Sequence, residues 1–294
     1  MAKATVYLVS TDDRSVGARR CLDFFGVPDY SGKTVYVKPN FNTADPAPGS
    51  THNDTLEALL AAVRAANPKT ITLGERSGPA DAAQVFAQRG IPALCEKYGT
   101  ELLNLEKLPP DGWVKIERPD LHWAGGYFEV PRALLDADAV VATCCLKTHG
   151  FGGVYSNSLK LAVGFTPKDM GRLHTPDIRK LIAEINLAYT PDFVLSDAVE
   201  VFTDGGPMSG TRRNANLMLI SSDRIALDAV GLAILKNLGS NAAIMDTPIF
   251  AQDQIARAVE LNLGVSSPDE IEIVTDDDAS EQIAAQVREV LARG

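Results

Sequence analysis

Residues 139–164 read AVVATCCLKTHGFGGVYSNSLKLAVG. The first five residues, AVVAT at 139–143, have the length and the β-branched, apolar character of a buried strand. They give way at once to CCLKTHGFGG, in which glycines surround Lys147 and His149. A strand that ends in a glycine-rich, charge-bearing turn is the unit from which open α/β sheets are assembled.

The same grammar recurs on both sides. Strand-like runs fall at 4–9, 34–37, 70–73, 193–196, 216–220 and 271–274, and stretches with apolar residues at helical spacing separate most of them, at 55–66, 179–188, 224–238 and 281–293. Strands alternating with helices predict a largely parallel, Rossmann-like α/β sheet with helices on both faces. The expected organisation is a single α/β domain spanning 1–294. Segment 104–130, with LPPDGW, ERPD and WAGG, lacks periodicity and is expected to form an irregular insertion or small β-rich subdomain.

Composition bounds the function. The 294 residues are 45% hydrophobic and 22% charged, in the range of a folded globular chain. A formal net charge of −10, with no run of Lys or Arg, argues against nucleic acid as a partner. MAKATVYLVS opens like a first strand and not like a signal peptide, and no window has the apolar length of a membrane span, so a cytoplasmic location with no membrane partner is expected. Cys21, Cys95, Cys144 and Cys145 include no CxxC pair, which removes the usual spacing for zinc or an intrinsic iron–sulfur cluster. Adjacent Cys144 and Cys145 are expected to pack on opposite faces of a strand end.

In a parallel sheet, ligands bind beyond the carboxyl ends of the strands. Five loops at 38–54, 74–81, 144–153, 197–210 and 221–228 should therefore converge on one edge. Lys38, stiffened by Pro39 and followed by Asn40, is placed to hold a carboxylate or phosphate. Ser50 or Thr51 is expected to cap the helix that begins near Asn53, with His52 on its first turn. Gly205, Gly206 and Ser209 form a turn that a ligand could approach closely. Asp197, just past 193–196, is a candidate carboxylate partner, and Asp228, among apolar neighbours, needs a buried partner of its own. Between 147 and 174, Lys147, His149, Lys160, Lys168, Arg172 and His174 concentrate cations in an acidic chain, a pattern suited to a small anionic molecule. His149 and His174 are candidate acid–base groups or ligands for a divalent metal, and Lys160 joins them as a candidate catalytic residue.

VKPNF at 37–41, STHNDTLEALLAAV at 50–63, LKTHGFGGVYSNSLKLAVG at 146–164, His174, Asp197, GGPMSG at 205–210 and SSDRIALDAVG at 221–231 occur in the order found in domain-of-unknown-function family 362. The chain resembles that family over most of its length. Many members carry an additional ferredoxin-like segment with CxxCxxC motifs, which this sequence does not have, and Leu161 follows Lys160 where members commonly carry Asn. More distantly, His149, GFGGVYSNS, Lys160, Gly164 and His174 are similar to the pattern of nickel-pincer lactate racemases, although the Asp-His-Thr-Arg-Pro-Thr segment of that family is missing. That similarity implies Lys160 as cofactor tether, His174 as nickel ligand and His149 as proton carrier. Three functional classes follow: an enzyme-like anion pocket, a non-catalytic carrier of metal or cofactor or accessory partner of an iron–sulfur protein, and a nickel-pincer-type racemase or epimerase.

Overall fold

The computed structural model describes residues 3–294, the Met170 side chain excepted. Its strands are β1 (Ala4–Ser10), β2 (Thr34–Lys38), β3 (Thr70–Glu75), β4 (Glu101–Asn104), β5 (Trp113–Glu117), β6 (Tyr127–Pro131), β7 (Ala139–His149), β8 (Val154–Ser156), β9 (Phe193–Gly205), β10 (Gly210–Ser221) and β11 (Ile271–Thr275). Nine of them form one sheet in the order β11-β1-β10-β9-β7-β2-β3-β4, with β8 paired to β7. All contacts along this path are parallel except those of β10, which runs against both β1 and β9. The fold is therefore a largely parallel, Rossmann-like α/β sheet.

Side-chain alternation puts helices on both faces. In β10, Leu217 and Leu219 enter one core with the helix Arg224–Asn237, while Met218 and Ile220 enter another with the helices Arg14–Phe25 and Asn53–Ala65. β9 alternates the same way, with Val194 and Ala198 on the first side and Phe193, Leu195 and Val199 on the second. Among the described residues no helix is long and apolar enough to cross a membrane.

Two expectations change. β7 does not stop at 143 but runs on to His149 and folds back into β8, so CCLKTH is strand and only the tip is a turn. β9 and β10 likewise extend to a tight hairpin at 205–210, whereas the shorter runs 193–196 and 216–220 left room for a crossover. A four-residue link cannot cross over to a parallel neighbour, so β10 must be antiparallel. Segment 104–130 leaves the main sheet after Asn104, and within it β5 forms an antiparallel ribbon completed by β6 at 127–131.

Candidate functional site

The carboxyl ends of β2, β3 and β7 open on a small chamber of about 60 Å³, bordered by Lys38, Glu75, Arg76, Lys147, His149 and Lys160. Each is delivered by backbone whose course the sequence dictates. Lys38 ends β2 immediately before Pro39, and Glu75 ends the neighbouring β3. Lys38 Nζ donates to Glu75 Oε2 at 2.7 Å, and both side chains are buried. Glu75 also accepts from the Phe41 and Arg76 amides. Burial pushes the Lys38 ammonium down and the Glu75 carboxyl up from their ordinary ranges, while each holds the other charged. Gly164 lies so close that a Cβ there would stand 2.3 Å from Glu75 Oε1 and 2.5 Å from Lys38 Nζ.

The other cations have no carboxylate. Buried Arg76 donates to the carbonyls of Val163, Thr166 and Ser77 and to the Thr166 hydroxyl. Lys147, on the far side of the chamber in β7, is likewise buried and donates to the carbonyls of Pro48 and Gly49 at 2.7 and 2.8 Å. The Lys160 ammonium makes no hydrogen bond or ion pair among the described residues. The aliphatic end of the side chain passes over Gly153, where a Cβ would meet Cε at 2.8 Å and His149 Nδ1 at 3.2 Å. Burial, then Lys147 and Arg76, push the Lys160 ammonium down to about 7.

The hairpin from β7 to β8 carries His149, whose Nδ1 accepts from the Phe151 amide at 3.3 Å. That contact leaves the proton of the neutral ring on Nε2. Burial, with Lys160, Lys147 and His174 nearby, holds its pKa well below the ordinary imidazole value. His174 is exposed at the outer mouth, and its pKa is also lowered, by burial first and then by Lys160 and Arg76. Both shifts favour the neutral imidazole, and on His149, whose Nδ1 is engaged, the neutral ring leaves Nε2–H as a donor.

Lys160 owes its position to a buried polar network. The short helix Ser158–Leu161 begins where Asp228 Oδ1 accepts from the Ser158 amide and hydroxyl at 2.8 and 2.7 Å, while Tyr155 and Gln254 donate to Oδ2. These are the partners that the sequence required of Asp228. Burial nonetheless pushes its carboxyl up to about 6. Asn157 completes the turn by donating to the Leu227 carbonyl and accepting from Ser196.

Of the residues singled out in the sequence, Lys38, Asn40, Lys147, His149 and Lys160 share the chamber, and His174 stands at its mouth. Asp197 goes elsewhere. It lies inside β9 on the same side as Leu195 and Val199, and it pairs with Arg14 at 2.8 Å and accepts from Thr55. The expectation that it follows the strand end fails because β9 continues for eight residues beyond it. Gly205, Gly206 and Ser209 close the β9–β10 turn, with Gly206 N donating to Ser209 O, and it is Pro207 and Met208 of that turn that reach the cleft. A Cβ on Gly206, where φ is +78°, would lie 2.1 Å from the Thr148 carbonyl, so this glycine lets the two hairpins touch. The helix Asn53–Ala65 is capped by His52, not by Ser50 or Thr51, whose hydroxyls serve Thr43 O and Asn40 N. Lys168 pairs with Glu106, and Arg172 binds carbonyls and stacks over Tyr127, which takes both out of the cationic cluster. Cys144 and Cys145 are buried free thiols that border the chamber, and burial raises the pKa of each. Arg76 and Asn42 were not singled out in the sequence, although Arg76 follows β3 directly, as Pro39 follows β2.

Among the described residues, no group of three or more His, Cys, Asp or Glu side chains converges to hold a metal ion. His149 and His174 stand among Arg76, Lys147 and Lys160, which repel a free divalent cation.

A family model described as Domain of unknown function (DUF362) matches residues 35–233. No curated protein matches the chain. Among solved structures, the lactate racemase apoprotein from Thermoanaerobacterium thermosaccharolyticum is similar at 13% identity and a TM-score of 0.49, over 96% of this chain and 85% of that one. A protein from Thermotoga maritima is similar at 15% identity and a TM-score of 0.41, over 64% of this chain and 50% of that one. These likenesses assign no activity to the chain.

Proposed function

The chain belongs to the DUF362 family, and from that premise we propose that its cationic chamber binds a small carboxylate- or phosphate-bearing molecule, with Lys160 exchanging a proton with it and His149 donating a hydrogen bond to it. The observation that carries this reading is Lys160. It is an amine without a hydrogen-bond partner among the described residues, pushed down to about 7 beside Arg76 and Lys147. Three cations without a carboxylate, beside one matched pair, leave the chamber with an excess of positive charge that an anion neutralises. A group whose pKa lies near ambient pH both gives and takes protons readily. His149, neutral and with its Nδ1 engaged by the Phe151 amide, offers an Nε2–H hydrogen-bond donor at the same chamber.

The test is the titration of Lys160, followed by NMR of 13C-methylated lysines and assigned with a Lys160→Met variant. The expected result is a midpoint near 7 that moves upward in saturating inorganic phosphate or acetate, because a bound anion favours the ammonium. A midpoint in the ordinary lysine range, or one indifferent to both anions, rejects the reading.

The racemase-like alternative makes Lys160 a cofactor tether. Its unengaged amine suits that role, whereas two imidazoles among cations are a poor cage for a free metal ion. Intact mass decides between them: added mass that disappears in Lys160→Ala favours a tethered group, and a chain of its own mass favours the anion chamber. A carrier without catalysis is separated by His149→Ala, which leaves anion binding in place and abolishes turnover only if His149 moves a proton.

A further inference from the structure

The small, inner chamber adjoins a second, outer chamber of about 210 Å³, and Arg76, His149 and Lys160 border both. The two differ in chemistry. The inner one is ringed by ammonium, guanidinium and imidazole groups, whereas the outer one is walled chiefly by Phe151, Val163, Leu173, Ile178, Pro207 and Met208, with no Asp or Glu. These residues come from three separate segments: the β7–β8 hairpin, the β9–β10 turn and the stretch from 163 to 178. Phe151 is 55% exposed, the most exposed of the large hydrophobic residues among those described, at the tip of the hairpin that positions His149. Arg179 fixes that tip by donating to the Gly152 carbonyl. An apolar patch held on a braced hairpin, facing a cleft whose floor is cationic, points to a ligand with two ends.

We propose that the ligand is an amphipathic organic acid whose anionic head enters the inner chamber and whose apolar tail fills the outer one. The inference rests on the anion-binding reading above and specifies the class of molecule. Size supports it from both ends. The inner chamber, at about 60 Å³, has less than a third of the room of the outer one, which assigns it the compact anionic head. The outer 210 Å³ exceeds the cavity of about 150 Å³ that takes up benzene in an engineered protein core, so a tail of one or two rings, or a branched chain of similar bulk, fits. A hydroxyl-rich tail would lose its water against walls that offer few partners. The apolar residues therefore select among acids, while the cations select acids from other molecules.

The experiment is calorimetric titration with acetate, phenylacetate, 2-phenylacetamide, inorganic phosphate and glycerol phosphate, on the wild-type chain and on Phe151→Ser and Met208→Ser. Neither position lies in the sealed core, and unchanged melting confirms that each variant is folded. Phenylacetate should bind at least about tenfold tighter than acetate, the gain expected from burying a ring. Glycerol phosphate should bind no tighter than inorganic phosphate. Each variant should move the ratio of phenylacetate to acetate affinity toward one. Equal affinity for acetate and phenylacetate, or an unchanged ratio in both variants, overturns the apolar-tail inference and leaves the anion reading standing. Equal affinity for phenylacetate and its neutral amide, or no binding of any acid, overturns the anion reading and this inference with it.

Discussion

Lys38 and Lys160 border the same chamber, yet the first donates to Glu75 at 2.7 Å and the second meets no hydrogen-bond partner among the described residues. On the β2–β3 wall a buried cation is matched by a buried carboxylate, which in turn accepts two backbone amides. On the opposite wall Lys147 is held only by carbonyl groups and Lys160 by none. A matched pair is complete in the protein alone. Unmatched charge is not, because its desolvation is uncompensated until an anion arrives. The difference separates the scaffold of the chamber from its working face.

The sharpest way to break this comparison is to remove each lysine in turn. Lys38→Met strands Glu75 as a buried, unpaired carboxylate and should cost about 3–5 kcal/mol of unfolding free energy. Lys160→Met removes a partly buried cation without a partner and replaces it with an apolar chain of similar length, so stability should stay within about 1 kcal/mol of wild type or rise. Urea unfolding of the two variants measures both. Equal losses would mean that Lys160 has a structural partner after all.

Gly164 tests the matched wall without touching its charges. An alanine there drives a Cβ into Glu75 and Lys38, neither of which can swing away without breaking the pair, so Gly164→Ala should cost about 2–3 kcal/mol. Loss of the pair, visible as a titration of Glu75 by carboxylate NMR, should accompany the destabilisation.

The unmatched wall should show itself in the pH dependence of stability. Lys160 is pushed down to about 7 in the folded chain, whereas an unfolded lysine titrates near 10.4. Between those values the unfolded chain binds more protons, so stability conferred by deprotonating Lys160 grows as pH rises through this window and is missing below it. Wild type should gain about 1–2 kcal/mol relative to Lys160→Met from pH 7 to pH 10, allowing for screening of a partly exposed amine. Parallel pH profiles for the two proteins would place Lys160 in an ordinary environment.

The matched and unmatched walls were not equally legible in the sequence. Lys38 was visible because Pro39 marks a strand exit, and Lys147, His149 and Lys160 because they cluster around glycines. Glu75 and Arg76 sit in GERSGPAD, a loop recognised as converging on the site, but nothing local distinguishes a carboxylate that will face Lys38 across a parallel pair of strands. Asp197 misled for a related reason. DAVEVFTDGG reads as a polar loop, and only pairing with β10 on one side and β7 on the other makes it strand and turns Asp197 toward Arg14. The antiparallel β10 was hidden in the same way, since TRRNAN gains strand conformation from its neighbour and not from its own propensity.

Gly153→Ala carries the smallest expected effect and the finest discrimination. As at Gly164, a Cβ there lies too near a lysine, but the atom it meets is Cε of a chain that nothing holds. The backbone at Gly153 has no positive φ to forbid alanine, and the loss of unfolded-state freedom offsets part of the crowding, so stability should change by no more than about 0.5 kcal/mol. The amine should swing away from Lys147 and Arg76, and its midpoint should climb from about 7 toward the ordinary lysine range. Methyl-lysine NMR reads that shift independently of stability. If Gly153→Ala instead destabilised the chain as much as Gly164→Ala and left the midpoint near 7, Lys160 would be held as firmly as Lys38, and the distinction between a finished wall and one awaiting an anion would be lost.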